Sequence, residues 1–104
     1  MNNVLKREEG TLVVKIPEEV DHYFVDMVRE EVDKKLQMEN INRLVFDFEK
    51  TEFMDSSGIG LLMGRYKLMR AIGGRVSIVH TKERIRKILI LSGIHKIIPI
   101  EEER

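Results

Sequence analysis

Between residues 43 and 72 the apolar residues change period, and that change limits what the chain can fold into. Arg43-Leu44-Val45-Phe46-Asp47-Phe48 is dense in β-branched and aromatic residues and reads as a strand. Leu61-Leu62-Met63-Gly64-Arg65-Tyr66-Lys67-Leu68-Met69 instead repeats its apolar positions at helical intervals. Between them lies Asp55-Ser56-Ser57-Gly58-Ile59-Gly60, an acid, two hydroxyls and two glycines where a loop turns into a helix. Such a position offers several free backbone N–H donors and the positive end of a helix dipole, which suits a hydroxyl that is to carry a phosphate.

The same alternation of periods runs through the rest of the chain. Residues 4–7 and 11–16 are extended segments joined through Glu8-Glu9-Gly10, and Pro17 ends the second of them, placed for the start of a helix. From Val20 onward Phe24, Val25, Val28, Val32 and Leu36 recur at helical spacing until Asn40 and Asn42 break the pattern. The central strand, 44–48, is apolar enough to be covered on both faces. A second helix over about 57–72 is stopped by Gly73-Gly74, and residues 76–79 form a strand. Thr81 is placed as the N-cap of a third helix, in which Ile85, Ile88, Leu89 and Ser92 share a face. Gly93 caps that helix and residues 97–100 form a short last strand. The order β-β-α-β-α-β-α-β implies parallel crossovers behind an initial hairpin, hence an α/β domain over residues 1–104 with a mixed sheet of about five strands. Functional groups in such sheets gather at the carboxyl ends of the strands, so the Asp55 turn and the 17–23 segment are expected on one rim.

Composition removes several function classes. Lys plus Arg equals Asp plus Glu at 18 each, so no summed field draws the chain to nucleic acid or anionic lipid. The absence of cysteine excludes disulfides, thiolate metal sites and a cysteine nucleophile. The opening Met1-Asn2-Asn3-Val4-Leu5-Lys6 has no apolar core of a signal peptide, and no stretch approaches the ~20 apolar residues of a membrane span. A cytoplasmic protein is expected. Charged residues make up 35% of the chain, against about 25% in typical domains, and glutamine is nearly absent, which suggests a heat-adapted source.

Catalytic readings of the central motif are weak. Ser-Ser-Gly-Ile-Gly is not a Gly-x-Ser-x-Gly elbow, and although His80 and His95 follow it, 104 residues leave little room for a substrate pocket. Gly58-x-Gly60-x-x-x-Gly64 approaches a dinucleotide fingerprint, but the third glycine is displaced and Val79-His80-Thr81 supplies no acid for a ribose. Gly60 and Gly64, one turn apart, are better read as letting the helix approach the sheet closely. A Walker loop is missing, and neither His80 nor His95 has a neighbour at metal-ligand spacing. The basic run Lys82, Arg84, Arg86 and Lys87 could meet an acidic partner, but such a run is more often simply a solvated helix face.

Phe53-Met54-Asp55-Ser56-Ser57-Gly58-Ile59-Gly60, with Gly64-Arg65-Tyr66-Lys67, Ile72-Gly73-Gly74, Val20-Asp21-His22 and Ser92-Gly93, resembles the bacterial anti-sigma factor antagonists of the STAS domain family, in particular the SpoIIAA-like sporulation type. The resemblance implies a non-enzymatic binding module without cofactor, metal or catalytic residues. Its partner is an anti-sigma factor with serine kinase activity, which phosphorylates the first serine after the aspartate, here Ser56. The unphosphorylated form binds that factor and releases a sigma factor, phosphorylation abolishes binding, and a phosphoserine phosphatase resets the switch. A STAS phospho-switch in another partner-switching or stress pathway is the alternative, with a small hydrolase or nucleotide-binding domain more remote.

The residues around Ser56 carry expectations of different kinds. Ser57 is expected to be the structural hydroxyl, sharing the helix cap with Asp55 or Ser56. Asp55 is open between capping, orienting the serine and contacting the kinase. Met54 and Ile59 are open between an apolar contact patch and the core, and Gly58 lies between them and the serines. The resemblance carries Asp21 over as a rim contact for the partner and leaves His22 a solvated loop residue. Two departures stand out: Ile16-Pro17-Glu18-Glu19-Val20-Asp21 lacks the family's glycine before the aspartate, and the chain stops at Glu101-Glu102-Glu103-Arg104, where relatives usually continue into a last helix.

Overall fold

The computed structural model describes residues 4–101; Met1-Asn2-Asn3 and Glu102-Glu103-Arg104, on which the readings of the two ends partly rest, lie outside the described residues. The elements are β1 (Leu5–Glu8), β2 (Thr11–Lys15), β3 (Glu19–Val20), α1 (His22–Met38), β4 (Arg43–Asp47), β5 (Phe53–Met54), α2 (Ser56–Ala71), β6 (Arg75–Val79), α3 (Glu83–Ser92), a 3-10 turn (Ile94–Lys96) and β7 (Ile100–Glu101). Five strands form one mixed sheet in the order β1-β2-β4-β6-β7, with β1 antiparallel to β2 and every other pair parallel. This is the α/β architecture expected, with β4 at the centre.

The hairpin turns at Glu9 and Gly10. Glu9 takes a φ of 56°, and the Gly10 carbonyl accepts from Asn42 N–H (2.9 Å) and Arg43 N–H (3.1 Å). A Cβ on Gly10 would lie 2.8 Å from the end of the exposed Asn42 side chain, which would have to turn aside to admit a larger residue.

Each crossover from β2 to β4, β4 to β6 and β6 to β7 moves one strand in the same direction across the sheet. Right-handed crossovers that never reverse direction place every connecting helix on one face. Leu12, Val14, Leu44, Phe46, Val76 and Ile78 point to that face and join one core with Val28 and Val32 of α1, Leu62 and Met69 of α2, and Ile85 and Leu89 of α3. The opposite face corrects the expectation that β4 is covered on both sides. There Val13, Val45 and Val79 lie among Lys6, Lys15, Arg43 and Asp47 in an open groove of about 430 Å³, and no helix among the described residues crosses it. Val45 and Val79 are nonetheless buried.

Several boundaries move, each for a local reason. The helix expected from Val20 starts at His22, because Val20 is held in β3 by its pairing with Met54. Thr81 does not cap α3; Lys82 occupies that position and makes no side-chain capping bond. The last strand is confined to Ile100–Glu101, since the N–H groups of Ile97 and Ile98 both bond back to the Ile94 carbonyl and Pro99 has no N–H to give. Ile98 is fully buried all the same, so its apolar signal was that of a core turn. Gly93, at φ 82°, ends α3 as expected.

The close approach assigned to Gly60 and Gly64 is also corrected. A Cβ on either would meet no atom within 4 Å. What joins α2 to α1 is a charge pair: Arg65, buried, places Nε 2.9 Å from Asp33 Oδ1. Its N–H is not aimed along that line, and neither atom has a directed hydrogen-bond partner, so the contact is Coulombic. Burial pushes the guanidinium pKa down and Asp33 partly offsets it.

Candidate functional site

A second, two-stranded parallel ladder shapes the site. β3 pairs with β5 in the register Glu19 to Phe53 and Val20 to Met54. Around it the Glu52 and Phe53 N–H groups donate to the Glu18 carbonyl at 2.7 and 3.0 Å, and the Asp55 N–H donates to the Val20 carbonyl at 3.3 Å. Buried Thr51 anchors the incoming loop, its hydroxyl donating to the Ile16 carbonyl at 3.3 Å. The residues that follow the paired positions are Asp21 and Asp55, the N-caps of α1 and α2. The ladder therefore holds two helix N-termini and two capping carboxylates side by side on one rim. Sequence reading placed both segments on that rim and missed the ladder, since two-residue strands are too short to show a period.

Both aspartates have extended backbones and cap in the ordinary way. Asp21 Oδ1 accepts from Phe24 N–H at 2.9 Å, and Asp55 Oδ1 accepts from Ser57 N–H at 2.9 Å. The Ser57 hydroxyl donates to the same Asp55 oxygen. That bond, then the Ser57 N–H, hold the Asp55 carboxyl below its ordinary value, with smaller help from the Gly58 N–H and His22 against a small opposing effect of desolvation. Asp55 is thus occupied by Ser57, and Ser56 does not share the cap.

Ser56, the first residue of α2, is exposed, and its hydroxyl has no hydrogen-bond partner among the described residues. The expected supply of free N–H donors around it is smaller than the sequence suggested. The Ser57 N–H is taken by Asp55 Oδ1 and the Gly58 N–H by the Asp55 carbonyl at 3.0 Å.

Met54 and Ile59 are half-buried and pack against the core, so each is partly structural and partly presented at the rim. Gly58 is buried, and a Cβ there would collide with Met54 and touch Val20. The ladder side chains thereby fit under the first turn of α2. His22 is exposed and lies 3.3 Å from Asp26 across one turn of α1.

Two contacts near the motif join residues that the sequence names but does not connect. Phe53 is 52% exposed, Arg84 of α3 lies over its ring at 5.2 Å, and Lys82 pairs with Glu52. His80 has a φ of 59° and pairs with Asp47 at 3.0 Å; among the described residues neither it nor His95 bonds to Ser56 or Ser57. No His, Asp or Glu group among the described residues is arranged to hold a metal ion, and no helix there is long and apolar enough to cross a membrane.

Comparison with known proteins agrees with this geometry. The family described as the STAS domain matches residues 2–104. The anti-sigma F factor antagonist of Paenibacillus polymyxa is 35% identical over 96 residues, 92% of this chain and 82% of that protein. Among solved structures, the anti-sigma factor antagonist SpoIIAA in its unphosphorylated form superposes with a TM-score of 0.88 at 27% identity, over 96% of this chain and 86% of that one. The Bacillus cell fate determinant SpoIIAA in its phosphorylated form superposes at 0.80 and 27% identity, over 96% and 89%. The chain belongs to the STAS domain family.

Proposed function

We propose that this protein is an anti-sigma factor antagonist whose switch is phosphorylation of Ser56. Unphosphorylated, it binds an anti-sigma factor that is also a serine kinase, and so releases a sigma factor. Phosphorylated, it lets go, and a phosphoserine phosphatase restores it in the cytoplasm. The observation that carries this reading is the asymmetry of the two hydroxyls. Ser57 is engaged by Asp55, whereas Ser56 is exposed and unengaged on the first turn of α2.

A phosphate adds roughly −1.5 to −2 charges at pH 7. Here it arrives on a rim that already holds Asp21 and Asp55 as the caps of two adjacent helices. Relatives named for the unphosphorylated and phosphorylated forms both superpose on this chain over 96% of its length, which supports a switch that leaves the fold in place. The new charge acts outward, on whatever surface docks there. A loss of about 4 kcal/mol at that interface lowers affinity roughly a thousandfold. Asp21, Met54, Asp55, Ser57 and Ile59 complete the partner surface; Gly58, expected there from the sequence, is buried beneath them and contributes by letting Met54 pack under α2.

Incubation with the anti-sigma kinase and ATP, followed by mass spectrometry, should place one phosphate on Ser56. Ser56→Ala should keep binding and Ser56→Asp should weaken it. A phosphate mapped elsewhere, or none, refutes the assignment. The ion-rich composition further implies a heat-adapted protein, which a melting temperature below about 60 °C would contradict.

A further inference from the structure

A groove of about 300 Å³ runs between the β3–β5 ladder and α3, and its two walls carry opposite charge. Glu19, Asp21 and Asp55 edge one side, Arg84 edges the other, and Met54, Phe53 and Ile88 supply apolar surface between them. Lys82 is paired with Glu52 and Lys87 with Glu83, but Arg84 has no carboxylate within ion-pairing distance among the described residues. It rests over the half-exposed Phe53 ring at 5.2 Å, which favours placing its guanidinium at the lip of the groove.

We infer that this groove is a second docking point for the kinase that acts on Ser56. It takes one apolar side chain of that partner, with a carboxylate meeting Arg84 and a cation meeting Asp21 and Asp55. The inference rests on the function proposed above, and three features support it. The volume is at the low end for a small-molecule pocket and suits one or two side chains. An unpaired guanidinium resting over an aromatic ring is a partly preorganised donor for a carboxylate and loses less freedom on binding. The acidic wall is built from the two capping aspartates of the phosphoacceptor rim, so a partner seated on Ser56 already covers one side of the groove. Arg84 and Arg86 are both exposed on α3, but only Arg84 borders the groove, where the acidic-partner reading of the basic run would apply.

The test compares two charge reversals on α3. Arg84→Glu, at the groove, should weaken binding of the anti-sigma kinase about tenfold or more, whereas Arg86→Glu, exposed on the same helix but outside the groove, should change it less than about twofold. Melting temperatures should match wild type. If Arg84→Glu lowers the melting temperature, Arg84→Met keeps the stem over Phe53, removes the charge, and should still weaken binding. Phe53→Ser should weaken binding with all charges intact. Equal losses for Arg84→Glu and Arg86→Glu would show a general field effect and overturn the docking point, as would no loss for Arg84→Glu. Sedimentation of wild type and Arg84→Glu separates self-association: a dimer abolished by the substitution, with kinase affinity intact, assigns the groove to a second copy and also overturns the inference. If Ser56→Asp weakens binding and Arg84→Glu does not, the groove alone is wrong. If wild type does not bind the kinase, both readings fall.

Discussion

Three glycines within seven residues of α2 should respond to alanine with different signs. Gly60 is exposed and Gly64 half-buried, both sit inside the helix Ser56–Ala71, and an added Cβ at either meets open space. Each substitution should therefore recover the backbone entropy that glycine loses in a helix, about 0.5–1 kcal/mol relative to alanine. The pair together should add to about 1–2 kcal/mol, since two methyl groups in open space have no shared partner to couple through. For a domain near this size that is a rise in melting temperature of roughly 4–8 °C per kcal/mol. Gly58 should behave oppositely. Its Cβ would run into Met54, whose flexible side chain relieves part of the clash only by leaving its place beneath α2, and overpacking of that kind costs about 1–3 kcal/mol. Urea unfolding and calorimetry on the three single variants and the Gly60→Ala/Gly64→Ala double variant measure this directly. Destabilisation by Gly60→Ala or Gly64→Ala would refute the reasoning and restore the idea that these glycines serve close packing. Gly60 also lies one turn after Ser56 on the same helix face, so its methyl should slow phosphorylation of Ser56 while it stabilises the fold.

Two further outcomes follow from the ionised groups. The folded Asp55 carboxyl lies below its ordinary value, so its contribution to stability is present above the unfolded-state value, near pH 4, and is lost as pH falls through the lower folded value; Asp55→Asn should flatten the urea midpoint against pH on that acid side and leave its shape unchanged near neutrality. At the α1–α2 contact, Arg65→Ala should cost about 2–4 kcal/mol in urea unfolding, because it opens a cavity and strands Asp33, whereas Arg65→Met, of similar volume, combined with Asp33→Leu should be close to neutral; equal losses for both would show that the pair itself, and not the filling of its space, holds the helices together.

Much of the fold was legible because its signals are local and periodic. Leu44, Val45 and Phe46 mark a central strand by composition alone, and Val28 with Val32, or Ile85 with Leu89, mark the buried stripe of a helix by spacing. Beyond the shifted boundaries, two errors have a common source: each concerned what lies across from a residue. Val45 looks as apolar as Phe46, yet only Phe46 faces the helices, a difference set by the direction of the crossovers. Gly60 and Gly64 have the spacing of a packing motif, but no neighbour faces either. Within the site, Asp55, Ser56 and Ser57 were legible as a cap and a hydroxyl pair. Different roles for the two hydroxyls were already expected from the family resemblance, and the Ser57 bond to Asp55 gives that expectation a geometric basis; the pairing of Phe53 with Arg84, by contrast, joins residues that no local pattern connects.

The one-sided topology also bears on why a phosphate at Ser56 should act on partners and spare the fold. Because β2, β4 and β6 run parallel and every crossover advances the same way, the loops into α1, α2 and α3 all leave from the same edge of the sheet, and the helix N-termini gather there. Three positive dipole ends on one edge would favour an anion strongly if they were bare. Those of α1 and α2 are not: Asp21 accepts from the Phe24 N–H and Asp55 from the Ser57 N–H, each in the first turn, and the β3–β5 ladder locks the two carboxylates in adjacent register. The local field that would have drawn a phosphate inward is already largely compensated. A phosphate on Ser56 therefore gains little from the helix end, stays hydrated and points outward beside two carboxylates. Its cost falls on any protein surface that must strip away that hydration to dock, and the fold beneath has no reason to rearrange.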